Sequence, residues 1–474
     1  MPEQDQIRTF GQKPTPGVIG ASDVSYEGCF RLPEGVADST YYAYGGVTGR
    51  TVAGQLRLLF TGSEAEIDAP IMEVADPGTY DTDYRRAPRA TFTHIWDVKY
   101  RAKRGTWRGP FASDRPGEPF FPFAPNQAVN GGVYWHEPSQ LLYMTYVDVY
   151  NVGAFGDWGL IAVRLGSDKT TETFGPWRLK ATDSRGSWYG PHRAIWLAAH
   201  PQSGKLITGA TISSGNANFP WGPDLYGDLD WPTPSLPAGV RAPDLVLQKR
   251  YLEHYFMGGA IDARQGTAQG PIKSFRRAVD PPLYEYFPAT SERAADMALR
   301  VDPARYKGVG SWSEMDGVGG LTWIRTATKH GVLFCGSVAG SPVQDPNRQE
   351  ASHVWYANLF KKRCSHGVEA PVDITGPVST AHFPYLCCYD PAALEAVAQG
   401  QRTDYEVEPA WFLNLTTKFS IKTAPESVPA GLRNLQGFHW DADRKLLFTI
   451  SHRADDVSVP GALSSLVHVF HIRA

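Results

Sequence analysis

NGGVYWHEPSQLLYMTYVD, residues Asn130 to Asp148, reads as a β-hairpin. A glycine pair opens a short apolar strand, Val133-Tyr134-Trp135. The polar stretch His136-Glu137-Pro138-Ser139-Gln140 turns the chain, and Leu141 to Tyr146 carries it back. Both arms have strand composition, and the Pro-Ser segment supplies turn chemistry.

The same shape recurs. Gly45-Gly46 precedes Gln55 to Gly62, Tyr189-Gly190 precedes Ala194 to Gly209, and Gly319-Gly320 precedes Val332 to Gly336. Gly437 precedes Lys445 to Thr449, and a weaker copy lies at Met257 to Asp262. The last glycine of each opening falls at 46, 132, 190, 259, 320 and 437, in steps of 86, 58, 69, 61 and 117. The final step is close to double, so a degenerate copy near His382 to Leu386 would even the series. A repeat of about 60 residues suits a four-stranded propeller blade. The expectation is therefore an all-β chain forming a single β-propeller. Seven blades are favoured, and five or six are compatible with the clear hairpins. The strong terminal strand Leu466 to Ile472 and the segment Tyr26 to Leu32 are expected to share one blade, because a ring that closes this way exposes no long edge.

Composition agrees. The chain has 474 residues, 47 of them Gly and 37 Pro, with 12% aromatics, a profile of many short strands and turns. A net charge of −3 gives no general basic field, so nucleic acid is not an expected partner. No apolar run is long enough for a membrane span. No signal peptide is visible, which makes the cytoplasm the default compartment, with an extracellular or particle-surface location also open. The five cysteines, Cys29, Cys335, Cys364, Cys387 and Cys388, lack zinc-ligand spacing and read as buried free thiols. A vicinal disulfide between Cys387 and Cys388 is the alternative.

Residues 1–22 read as an N-terminal arm and 23–474 as the propeller, with a long aromatic loop at about 213–242 carrying Trp221, Tyr226 and Trp231. Outer-strand candidates are Leu160 to Arg164, Val354 to Ala357 and Trp411 to Leu415. Helix is expected at Pro391 to Ala398, with Asp390 as N-cap and Pro391 at the first position, and at Ser291 to Leu299. The segments YEGCFRLP (26–33), YGG (44–46), TATKHGVLF (326–334), YDPAALEAVAQG (389–400) and VHVFHI (467–472) resemble uncharacterised bacterial proteins with propeller-like repeats. That resemblance implies the fold and brings no activity with it.

Hydrolase, nucleotide-binding, zinc-protease and calcium-loop motifs are missing, and the sequence names no cofactor and no metal site. If the glycine-opened strands are innermost, the residues just before them gather at one mouth of the channel. These are Asn126, Asn130, Asp183, Arg185, Tyr189, His254, Tyr255, Glu314, Asp316, Arg433, Asn434 and Gln436. Asn130, His254, Tyr255, Arg433 and Asn434 are ligand-binding candidates for a polar molecule, a glycan among them. Glu314 and Asp316, alternate residues on one side of an extended chain, are a candidate carboxylate pair for glycoside hydrolysis. Arg185, Tyr189 and His192, beside Arg193, are the residue types of a polysaccharide lyase, in which Arg neutralises a carboxylate while Tyr or His takes the adjacent proton. His200 precedes a proline and reads as an exposed turn residue. The histidines His254, His353, His382, His439 and His452 lack metal-ligand spacing, and His468 and His471 fall on opposite strand faces. Arg85, Arg86, Arg89, Arg101, Lys103, Arg104 and Arg108 form a local basic run that could meet an anionic partner or be a solvated edge. Two function classes stand: a binding or interaction propeller with a glycan or protein partner, and a carbohydrate-active enzyme.

Overall fold

The structure is a computed structural model. It describes residues 7–9, 15–33, 46–61, 70–96, 128–148, 159–181, 196–209, 223–233, 245–253, 274–275, 284–285, 317–339, 355–356, 377–378, 382–402, 407–423, 435–459 and 462–473.

In chain order, β1 (Ile7–Thr9) and β2 (Val24–Arg31) precede the first complete blade. Blade one is β3 (Thr48–Val52), β4 (Gln55–Thr61), β5 (Ile71–Ala75) and β6 (Phe92–Trp96), paired in that order. Blade two is β7 (Ala128–His136), β8 (Leu141–Asp148), β9 (Gly159–Leu165) and β10 (Thr171–Ala181). Blade three is β11 (Trp196–Ala199), β12 (Leu206–Gly209), β13 (Asp224–Leu229) and β15 (Lys249–Glu253), while β14 (Leu245–Leu247) pairs in parallel with the outer edge of blade two. The short ladder β16 (Ser274–Phe275) with β17 (Tyr284–Glu285) follows. Blade four begins with β18 (Gly317–Arg325) and β19 (His330–Ala339). After a second short ladder, β20 (Trp355–Tyr356) with β21 (Pro377–Val378), it continues with β22 (His382–Tyr389) and β23 (Trp411–Asn414). Blade five is β24 (Leu435–Asp441), β25 (Leu446–Val459) and β26 (Ala462–Ile472), completed by β2 from the other end of the sequence.

Each innermost strand meets the next in the cyclic order β3, β7, β11, β18, β24 and back to β3. Strand side chains alternate between faces, so each blade contributes one row to each neighbour. On β4, Leu59 packs toward blade two and Leu58 with Phe60 toward blade five. Five apolar clusters among the described residues each fill one seam, one/two, two/three, three/four, four/five and five/one, and a small further one of Cys29, Ala87, Ala454 and Leu466 joins blade five to the connection between β5 and β6. Five seams between five blades close the ring.

Seven blades are therefore corrected to five. Four glycine-opened hairpins, together with the two arms that follow Gly190, supply the first two strands of the five blades. The extra copy expected near His382 is β22, third strand of blade four, paired between β19 and β23. The doubled step arose because residues 340–381 separate β19 from β22. Chain length between markers counts insertions as well as strands. Met257 to Asp262 lies outside the described residues, as does Ser291 to Leu299.

The shared blade of the two ends of the sequence is as expected, with Val24 opposite Ile472 and Arg31 opposite Leu466. Leu160 to Arg164 lies in β9 and Trp411 to Asn414 forms β23, both outside the inner hairpins; Trp355–Tyr356 belongs instead to a ladder outside the five blades. The helix α1 (Pro391–Ala398) forms with Asp390 as N-cap, its carboxylate accepting from Ala392 N at 2.9 Å. A second short helix, α2, is Leu415–Phe419. The segment read as an aromatic loop contains β13, with Tyr226 fully buried, because β13 supplies the third strand that β12 needs. Part of the arm is also structured: β1 adds a fifth strand to blade four. Cys387 and Cys388 are free thiols. Adjacent residues on β22 point to opposite faces, Cys387 into the three/four core and Cys388 into the four/five core. No helix among the described residues is long and apolar enough to cross a membrane.

Candidate functional site

The innermost strands differ at their two ends. Where they start, backbone meets backbone. A Cβ on Gly320 would lie 2.6 Å from Gly437 Cα, and one on Gly46 would overlap the same glycine. Across another seam, a Cβ on Gly132 would lie 2.5 Å from Trp196 Cα. Real Cβ atoms do not approach that closely, so the recurring glycines are the condition for five strands to converge. Convergence also bulges the ladders: register shifts fall between Asn130 and Val133, Val318 and Gly320, and Gln436 and His439.

A bulge strands backbone polar groups in a dry place, where leaving them unpaired is costly. The second strand supplies the remedy. At the bulges Thr145 Oγ1 accepts from Gly132 N at 2.7 Å and Thr449 Oγ1 donates to Gln436 O at 3.2 Å; in blade three, whose inner ladder runs without a register shift, Thr208 Oγ1 donates to Trp196 O at 2.7 Å. In blade four the equivalent residue is Cys335. Its thiol lies 3.8 Å from both Leu435 O and Gly437 O. In blade one it is Thr61, whose buried hydroxyl has no partner among the described residues.

All five innermost strands start at this end, so the connections leading into them arrive there. The candidates Asn126, Asp183, Arg185, Tyr189, His192, His254, Tyr255, Glu314, Asp316, Arg433 and Asn434 belong to those connections and lie outside the described residues. Asn130 is in β7, its backbone opposite Tyr146. Gln436 is buried in β24 and uses its carbonyl to hold Thr449. Gly190 is outside the described residues, and the innermost strand of blade three starts at Trp196.

At the other end the strands turn back, and side chains lock the seams. Arg50 pairs with buried Glu73 at 2.6 Å while its guanidinium faces Trp96 at 5.3 Å and Trp135 at 5.0 Å. Trp231 stacks on Tyr134 (4.9 Å) and His136 (4.8 Å) and donates its Nε1–H to Gly204 O at 2.8 Å. His200 lies 3.2 Å from Glu395 of α1 through Nε2 and packs edge-on to Trp323 at 4.4 Å. Arg444 holds Asp441 of its own blade and Asp76 across the five/one seam, each at 2.6 Å. His200 is thus a 6% exposed seam residue and not an exposed turn residue. Burial lowers its pKa, with Glu395 opposing.

Two other histidines are taken out of water, His439 in part and His468 entirely. His439 packs against Gly49, and burial lowers its pKa to about 4. His468 receives the Tyr26 hydroxyl at 2.9 Å on Nδ1 and contacts Lys422 O at 3.0 Å through Nε2; burial lowers its pKa to about 4 as well. No group of side chains suited to a metal ion occurs among the described residues. Of the basic run, Arg85, Arg86 and Arg89 are described. Arg86 pairs with Asp81 and Asp83, and Arg85 lies over Tyr84. Sequence reading missed Arg50, Arg444 and the second-strand threonines. The threonines carried a signal: Phe60-Thr61, Met144-Thr145, Ile207-Thr208 and Phe448-Thr449 repeat an apolar-Thr pair in the returning arm, with Phe334-Cys335 as its variant.

No family model and no curated protein matches this chain. Among solved structures, it is similar to the PQQ-bound form of an aldose sugar dehydrogenase from Streptomyces coelicolor, with 10% identity, a TM-score of 0.34, and 94% of this chain and 98% of that one covered. A likeness at that score carries no argument; the five-bladed ring stands on its own strand order and seams.

Proposed function

We propose that this protein is a binding propeller that recognises a polar ligand of the glycan class at the end of the ring where the innermost strands start. One observation supports the reading. At three of the five seams the strand starts are packed backbone against backbone, so recognition at that end falls to the connections entering the strands. By chain position those connections carry Arg185, Tyr189, His192, His254, Tyr255, Arg433 and Asn434, with Asn130 at the start of β7. Arg185 and Arg433 suit a carboxylate through paired N–H groups, the amides suit hydroxyls, and the Tyr and His rings suit the apolar face of a sugar. Acidic glycans are therefore the favoured class.

A glycan array on the full chain tests this, followed by titration calorimetry on Arg185→Ala and Arg433→Ala. Saturable binding to uronic-acid glycans, weakened at least tenfold in both variants, is expected. An array without signal would sink the proposal. Cleavage of the bound glycan, abolished by Glu314→Gln or by replacement of Asp316, would instead establish the carbohydrate-active reading.

A further inference from the structure

The stretch before β2 packs on a blade to which β2 does not belong. Along blade four, His330 N donates to Gly17 O at 2.9 Å and Ile19 N donates to His330 O at 2.8 Å. Trp411 Nε1 donates to Ile19 O at 2.6 Å. Thr15 gives its N–H and its hydroxyl to the two oxygens of Asp390, at 2.8 and 3.0 Å. Val18, Ile19 and Ala21 sink into the four/five core. Asp23 then pairs with Lys329 at 2.7 Å, and its carbonyl accepts from Arg473 N at 2.8 Å.

Blade five is the one blade whose four-stranded ladder joins sequence-distant parts, β24 to β26 with β2. The β2–β26 ladder is therefore the ring's non-covalent junction. Its far end is secured by the connection of blade one, where Arg31 N donates to Pro88 O and Ala90 N donates to Arg31 O. Its near end continues directly into residues 15–23. We infer that residues 15–23 are a clasp: held on blade four, they keep β2 on β26, and their release opens the ring at that junction while the other seams stay shut.

Hydrogen exchange followed by mass spectrometry on the full chain tests the clasp, with two variants that keep the surrounding packing. Lys329→Met removes the ion pair to Asp23, and Trp411→Phe removes the indole donor to Ile19. In both, amides of Val24–Arg31 and Ala462–Ile472 are expected to exchange at least tenfold faster, with Leu141–Asp148 and Leu206–Gly209 unchanged. Acceleration confined to residues 15–23 would overturn the inference, since the segment would then be a passenger. Acceleration spread evenly over all five blades would overturn it too, because the ring would then lack a preferred opening.

Discussion

The two ends of the innermost strands solve the same problem with different material. At the starting end, neighbouring strands touch through glycine backbone at Gly46, Gly320 and Gly437. At the returning end, seams are held by unlike pairs: Arg50 with Glu73, His200 with Glu395, Arg444 with Asp76. Convergence is a geometric demand that the absence of a side chain satisfies, so that end repeats. The space between splayed hairpin turns can be filled in many ways, so that end diverges. The repeated end is therefore expected to tolerate almost no substitution, and the divergent end to lose only what one lock contributes.

The sharpest test is Gly46→Ala against Gly54→Ala. Gly46 has φ +78° and a Cβ there would overlap Gly437 Cα; Gly54 has φ +77° but open space around it. Both alanines strain the backbone, but only the first also meets a neighbouring strand. Gly46→Ala should cost about 4 kcal/mol or more and yield little folded protein, while Gly54→Ala should cost about 1 kcal/mol. Urea unfolding of the two separates them, and equal losses would refute the account of the glycine end.

The next test breaks a lock. Arg50→Ala leaves Glu73, whose side chain is 5% exposed, without its cation, although Thr93 Oγ1 still donates to it at 2.6 Å. A loss of about 3 kcal/mol is expected, and Arg50→Met with Glu73→Gln should recover most of it, because the buried charge is then gone. Failure of the double variant to recover would mean that the contacts to Trp96 and Trp135 carry the lock.

Acid should find the seams through their histidines. The pKa of His439 and of His468 falls from 6.5 to about 4 on folding, so the unfolded chain binds these protons more tightly. Their contribution is complete above about pH 7 and is lost as pH falls from about 6.5 toward 4, on the order of 3 kcal/mol for each. Comparing the urea midpoint at pH 7 and pH 5 for wild type and His439→Leu checks this. The variant should lose less over that interval.

Much of this ring could be read from residues. The inner hairpins were legible because each is local, a glycine, two apolar arms and a turn. The shared blade of β2 and β26 was legible from the strand composition at both ends of the sequence. The blade count was not, because residues 254–316 and 340–381 stretch the repeat and β22 resembles a worn hairpin. The seam locks were illegible for a different reason. Arg50 and Glu73 are ordinary charges until folding sets them on β3 and β5 of one blade, with β4 between, and turns the pair toward the tryptophans at the next seam. The chemical candidates other than Asn130 and Gln436 sit in connections beyond the described residues, and chain position assigns them to the starting end.

The smallest effect discriminates most finely, because it compares one residue type at one register position in two blades. Thr449 donates to Gln436 O across a bulge, whereas the buried Thr61 hydroxyl has no partner among the described residues. Valine has nearly the same shape and no hydroxyl. Thr449→Val therefore strands a carbonyl in a dry core and should cost about 1–2 kcal/mol. Thr61→Val removes a polar atom that gains nothing from folding and should be neutral or stabilising by up to about 1 kcal/mol. Opposite signs in paired urea titrations would show that these threonines answer the bulge that convergence imposes. Equal losses would mean instead that the hydroxyl matters wherever the second strand carries it, and that the glycine end and its threonines are separate features.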